Sequence, residues 1–282
     1  MKYTEQKIRD EYASLDNSPR SQMRKSELAK MKYCPSDILG LIARSDSGIY
    51  FLESVVKNPR LPQDVIEEKL QLIFLGTQTI NTTKHILKNP SITTEAFRRA
   101  NEAGKRLQGR QGDELSYRYF LFGALEHGNC PREIMDYALS SGYLYFWLKL
   151  AANPALPQDV IDALLWNQHK EVRLALLRNK KVPVENFLKW IDRPLDEIIN
   201  GQHTVIQALI KRLPAGEDKD RSITYLKSFN NGVPTRVLVA GIASKEEHLR
   251  DIAFDTHPDV RDALLNNEAA PEEYKVISSL NR

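Results

Sequence analysis

The sequence predicts an all-α fold, a solenoid of about eight or nine stacked two-helix repeats. Three observations carry this expectation. The stretch NPRLPQDVIEEKL, Asn58 to Leu70, is nearly repeated 95 residues later as NPALPQDVIDALL, Asn153 to Leu165. Aligning the two copies on Pro62 and Pro157 gives a template that fits at eight anchors: Pro35, Pro62, Thr93, Pro131, Pro157, Pro183, Pro234 and Pro271. Around each anchor the apolar residues recur at helical rather than strand spacing.

The anchors are spaced by 27, 31, 38, 26, 26, 51 and 37 residues, so the basic period is near 26. The interval of 51 holds two periods with a degenerate unit inside, and the intervals of 31, 37 and 38 carry insertions. Such a period is too short for a domain and suits a pair of short helices. Residues 1–30 are expected to form an N-terminal cap and 31–282 the repeat array, all in one domain, with an inserted basic loop near 100–115.

Each template position has a physical reason. Proline is tolerated in the first turn of a helix, where its missing N–H is not needed. Two residues on stand Asp37, Asp64, Glu95, Glu133, Asp159, Glu185 and Glu273, with Arg236 the exception; an acid there faces the unpaired amides of a helix start. Apolar pairs such as Val65/Ile66 and Val160/Ile161 follow and define a buried face. Four residues before the anchor stand Asn58, Asn89, Asn153, Asn179, Asn230 and Asn267, expected to end the preceding helix in the left-handed conformation that asparagine tolerates. Each unit therefore reads helix, asparagine stop, short turn, proline start, second helix.

The segments KEVRLALLRNKKVPVENF (170–187) and HPDVRDALLNNEAAPEEY (257–274) share a V-R-x-A-L-L-x-N run followed four residues later by proline and an acid. In this they resemble the variant leucine-rich repeat and, more loosely, HEAT-like α-helical repeats. The resemblance implies a right-handed superhelix with a concave partner-binding face. The cysteine cluster with which some variant repeats hold an iron–sulfur centre is missing, and no cofactor is expected.

Composition narrows the function. With 40 basic and 37 acidic residues the net charge is only +3, which permits but does not indicate a nucleic-acid partner. No apolar run approaches the roughly 20 residues that cross a bilayer, and the charged start MKYTEQKIRDEYASL lacks a signal-peptide core, so a cytoplasmic protein without membrane contact is expected. Cys34 and Cys130 occupy the apolar position before an anchor proline and read as buried thiols. The six histidines show no metal-ligand spacing, and neither a phosphate loop nor a nucleophile elbow is present. The acids Asp64 and Asp159 recur too regularly to be a catalytic pair, and Arg173, Arg250 and Arg261 recur in V-R or L-R steps that suit structural hydrogen bonds between units.

The leading expectation is a non-catalytic scaffold that binds a protein or peptide. Its candidate contact residues are Arg98, Arg99, Lys105, Arg106, Arg110 and Arg118 around the insertion, with the aromatic Tyr119 and Trp147. The runner-up is nucleic-acid binding. The HEAT-like resemblance extends that to glycosylase-like chemistry, for which Trp147, Trp166, Trp190, Asp162 and Asp192 are the residue types available. A stoichiometric inhibitor of immunity type is a special case of the scaffold. The basic stretch Ser18 to Lys32, with Arg20, Arg24, Lys25, Lys30 and Lys32, is explained by the polar outer face that a terminal cap needs.

Overall fold

A computed structural model of the chain describes residues 4–45, 54–74, 80–107, 113–192, 201–229 and 232–280. Among these the protein is all-α, with no strand. They fall into two compact units, Met1–Pro157 and Gln158–Arg282. The first holds α1 (Glu5–Ala13), α2 (Pro19–Lys30), α3 (Ser36–Arg44), α4 (Gln63–Phe74), α5 (Ile80–Ile86), α6 (Thr94–Leu107), α7 (Asp113–Glu126), α8 (Arg132–Ser140) and α9 (Leu144–Ala151). The second holds α10 (Gln158–Leu165), α11 (Lys170–Arg178), a 3-10 helix (Val184–Trp190), α12 (Gln202–Arg212), α13 (Glu217–Phe229), α14 (Val233–Ile242), α15 (Glu246–Leu249), a second 3-10 helix (Ile252–Phe254), α16 (Pro258–Leu265) and α17 (Glu272–Leu280).

Helices begin at the anchors, one residue later than proline's preference for the first helical position suggests. Pro35, Pro131 and Pro183 are N-caps in extended backbone, with φ of −61°, −62° and −57°. Their fixed φ suits an N-cap as well as a first turn, and the carbonyl already accepts a helical bond, as from Leu39 N–H to Pro35 at 3.0 Å. Pro183 opens a 3-10 helix rather than an α-helix. Pro234 lies within the first turn of α14, capped by Gly232.

The asparagines behave differently from the expectation. No described non-glycine residue has positive φ, and the cap Asn179 sits at φ −71°, ψ 102°. The position is instead a buried hydrogen-bond hub. Asn58 Oδ1 accepts from Arg60 N–H at 3.0 Å, and its amide donates to the carbonyls of Ala29 (2.8 Å) and Met31 (3.1 Å) in the turn before. Asn89 repeats this with Ser91 N–H, Val56 and Asn58, and Asn153 with Ala155 N–H, Leu125 and His127. In the second unit Asn267 does the same with Ala269 N–H, Ala240 and Ala243. Turn carbonyls shut away from water need a partner, and a buried carboxamide supplies two donors and one acceptor at once. Asn230 lies outside the described residues.

Where the chain lacks asparagine, another side chain takes over the bonding. His127 stands four residues before Pro131; its Nδ1 accepts from Asn129 N–H at 3.0 Å and its Nε2 reaches the Asn89 carbonyl at 3.0 Å. In the irregular interval after Pro183, the Arg212 guanidinium donates to the carbonyls of Leu177 (2.5 Å) and Val182 (2.6 Å) and lies 5.1 Å from the Phe187 ring centre.

Packing in the first unit centres on α7, which meets α4, α5, α6, α8 and α9. Tyr117, Phe120, Leu121, Ala124 and Leu125 are buried, and Phe120 meets Phe74 and Phe97 at ring-centre distances of 5.3 and 6.1 Å. Two glycines permit this packing: a Cβ on Gly104 would lie 2.6 Å from the Tyr117 ring, and one on Gly123 would lie 2.6 Å from Leu87. The second unit centres on fully buried Phe187 and Trp190, whose indole N–H donates to Leu165 O at 3.0 Å.

Candidate binding grooves

The charges of the first unit are distributed unequally. On the helices that follow the anchors, acids at the second position pair with arginines of a neighbouring helix: Asp37 with Arg9, Asp64 with Arg44 (2.5 Å) and Glu133 with Arg98 (2.7 Å). Arg98 also meets Glu95 at 2.7 Å, while Arg99 meets Glu67 at 2.9 Å and Glu95 at 3.1 Å. The Arg44 hydrogen bond holds the Asp64 carboxyl below the usual range, and Arg98 and Arg99 do the same for Glu95. These acids therefore serve helix starts and bridge neighbouring helices together. Such exposed pairs add little stability and leave no net charge for a partner.

The turns and the helix ends leading into them are different. Lys30, Lys84 and Lys88 are exposed, and among the described residues no carboxylate pairs with them. Lys30, Lys57 and Lys88 occupy the same register, five residues before Pro35, Pro62 and Thr93. They border two grooves. The larger, about 770 Å³, runs between α5, the end of α7 and α9, with Leu87, Phe122 and Tyr119 beneath, Pro90 and Pro154 at the edges, and Lys84 and Lys88 on its rim. Glu126 and Lys149 line it too but bond each other at 2.8 Å. The smaller, about 630 Å³, is lined by Ser26, Lys30, Lys32, Ser54, Lys57 and Pro59. Hub bonds join them: Asn58 lines the small groove, Asn89 donates to Asn58 O, and His127, on the wall of the large one, reaches Asn89 O.

The candidate contact residues are dispersed. Arg98 and Arg99 on α6 are consumed in ion pairs, Lys105 and Arg106 are exposed near its end, and Arg110 lies outside the described residues. Arg118 on α7 binds Glu114 (2.5 Å) and lies 5.9 Å from the Tyr143 ring centre, in a different groove lined by Tyr117, Tyr137 and Phe146. Tyr119 faces the large groove. Trp147 is half-buried, its indole N–H directed at Leu139 O at 3.3 Å. Lys84, Lys88, Phe122 and Lys149 went unnoticed in the sequence, although the shared register of Lys30, Lys57 and Lys88 was there to be read.

The cysteine, tryptophan and aspartate candidates are buried, partly buried or ion-paired. Burial pushes the Cys34 thiol to about 11 and Cys130 to about 12, so neither offers a thiolate near neutral pH. Trp190 is buried in the core, Trp166 is 37% exposed, and Asp162 and Asp192 are ion-paired with Lys189 (2.7 Å) and Arg221 (2.6 Å). Arg173 is buried, and its Nη1 donates to Asn167 O at 2.5 Å in the turn ahead of its own helix, as Arg261 does to Thr256 O at 2.8 Å; Arg250 pairs with Glu246 at 2.8 Å. Among the described residues no group of three or more His, Cys, Asp or Glu is placed to hold a metal, and no helix is long and apolar enough to cross a membrane.

The fold and these grooves define an all-α protein whose turns are joined by buried carboxamides. No family model matches the chain, and no curated protein or solved structure matches it.

Proposed function

We propose that the chain is a non-catalytic helical-repeat scaffold whose partner is a protein or peptide. On this reading the helix pairs continue as a right-handed α-solenoid of the variant leucine-rich or HEAT-like kind, working in the cytoplasm. The observation that carries the reading is the contrast in charge: ion pairs satisfy Arg98 and Arg99 of α6, whereas among the described residues Lys84 and Lys88 have no carboxylate partner beside a groove with an apolar floor. An apolar floor ringed by a few charges suits a side chain anchored from a partner.

The test is capture of partners by the full chain from lysate, with and without nuclease, at rising salt. A protein retained after nuclease, and lost on competition with untagged chain, supports the scaffold. Recovery of nucleic acid alone, with steep loss as salt rises, replaces it with the nucleic-acid reading, which the same lysines favour.

A further inference from the structure

We propose that the groove between α5, α7 and α9 is the anchor site for an extended acidic peptide, one apolar side chain resting on Leu87 and Phe122 and carboxylates meeting Lys84 and Lys88. The proposal rests on the scaffold reading and specifies its ligand. Charge complementarity selects the occupant. Lys84 and Lys88 lie on the groove's rim, both exposed, with no carboxylate of the described chain to neutralise them. Lys149, also in the lining, is already neutralised by Glu126. The net charge offered to a ligand is thus positive and sits on the α5 side.

The floor argues for a peptide over a phosphate chain. Phe122 is held edge-on against Phe146 at 5.5 Å between ring centres and against Tyr119 at 6.4 Å, so the aromatics pack against one another instead of presenting open faces for bases. Gly123 lets α7 approach Leu87 closely and leaves a recess rather than a ridge. The path continues toward Lys30, Lys32 and Lys57 in the second groove, because Asn89 ties the turn after Asn58 to its own. Packed helices lie about 8 to 10 Å apart. An extended chain advances about 3.3 Å per residue. A ligand crossing these turns therefore presents an acid at about every third position.

The probe is a synthetic 12-residue peptide with glutamate at every third position and one central leucine, labelled at its end. Its binding to the full chain is followed by fluorescence anisotropy. We expect binding that weakens as salt rises, and a loss of about tenfold or more with Lys84→Glu and Lys88→Glu together, both exposed positions that the fold does not need. The glutamine version of the peptide should bind as weakly as that variant. Bound peptide should also shield the Lys84 and Lys88 amines from acetylation, read by mass spectrometry. Binding that ignores the double variant but is lost with Lys105→Glu and Arg106→Glu overturns the groove and leaves the scaffold standing. Displacement by a 12-mer of oligo-dT at lower concentration than unlabelled peptide overturns the peptide assignment. No binding to the native chain at about 1 mM peptide overturns the proposal, while the scaffold is judged separately by the capture experiment.

Discussion

His127 Nε2 lies 3.0 Å from the Asn89 carbonyl oxygen, the place in the bonding pattern where other turns put an asparagine amide. Because Nδ1 accepts from the Asn129 N–H, the ring must be neutral with its proton on Nε2. One imidazole thus reproduces the donor and the acceptor of a carboxamide, but unlike a carboxamide it titrates.

A pH dependence follows. Burial holds the His127 pKa below its ordinary 6.5, against the opposing pull of the Asn89 carbonyl. The unfolded chain therefore takes up its proton first as pH falls. The stability tied to the neutral ring is complete above about 6.5 and is lost progressively below it, toward the lower folded value. His248, also lowered by burial, contributes with the same sign. His127→Asn should flatten part of the fall in Tm between about pH 7 and pH 5, since only His248 of the two then titrates; melting curves followed by circular dichroism across that range decide it.

Asn153→Ala should destabilise strongly. It removes the partner shared by the Leu125 and His127 carbonyls and the Ala155 N–H. Each orphaned buried group costs about 1–3 kcal/mol, and the costs are not fully additive, so a loss of about 3 kcal/mol is expected in urea titrations. Asn153→Asp should be worse than alanine, because it sets a carboxylate against two carbonyls. Asn266→Ala, at an exposed asparagine of the second unit whose amide bonds only within its own helix end, serves as the control.

Gly123→Ala should cost about 1–3 kcal/mol by overpacking. The added methyl carbon meets Leu87 Cβ and Cδ1 at 2.6 Å in a tightly packed interface. Shortening the opposing side chain in the same molecule, Leu87→Ala, should recover part of that loss. A double-mutant cycle on urea midpoints reads the coupling, and simple additivity would show that the two do not touch.

Cys34 and Cys130 should be inert to a thiol-reactive disulfide reagent at pH 8 in the native chain, and both should react once urea unfolds it. The pKa values near 11 and 12 and the burial of both residues demand this. Rapid labelling of either thiol under native conditions would show that its turn opens readily.

Much of the fold was legible because its signals are short-range. Proline, an acid two residues later and an apolar pair after that act on the helix they begin, so Pro62, Asp64, Val65 and Ile66 announce α4 without reference to anything distant. The apolar position before the anchor likewise gave away Cys34 and Cys130 as buried. The asparagines were found as a register where helices end, and helices do end there, but without the left-handed backbone that is the local use of asparagine; their side chains serve carbonyls 24 to 33 residues back. The basic residues of the insertion looked like one patch for the same reason, since their carboxylate partners Glu67 and Glu133 lie on other helices.

By itself the sequence determined where helices start, which face of each is apolar and which positions recur, because backbone capping and helical periodicity depend on residues within a turn or two of one another. Only the tertiary structure decided where the amides of Asn58, Asn89 and Asn153 are spent, that His127 and Arg212 bond turn carbonyls in the same way, which lysines are left unmatched and where the groove opens. Those outcomes are set by which turn stacks on which. Hydrogen bonding and charge neutralisation across that stack act over a few ångströms in space between residues far apart in the chain.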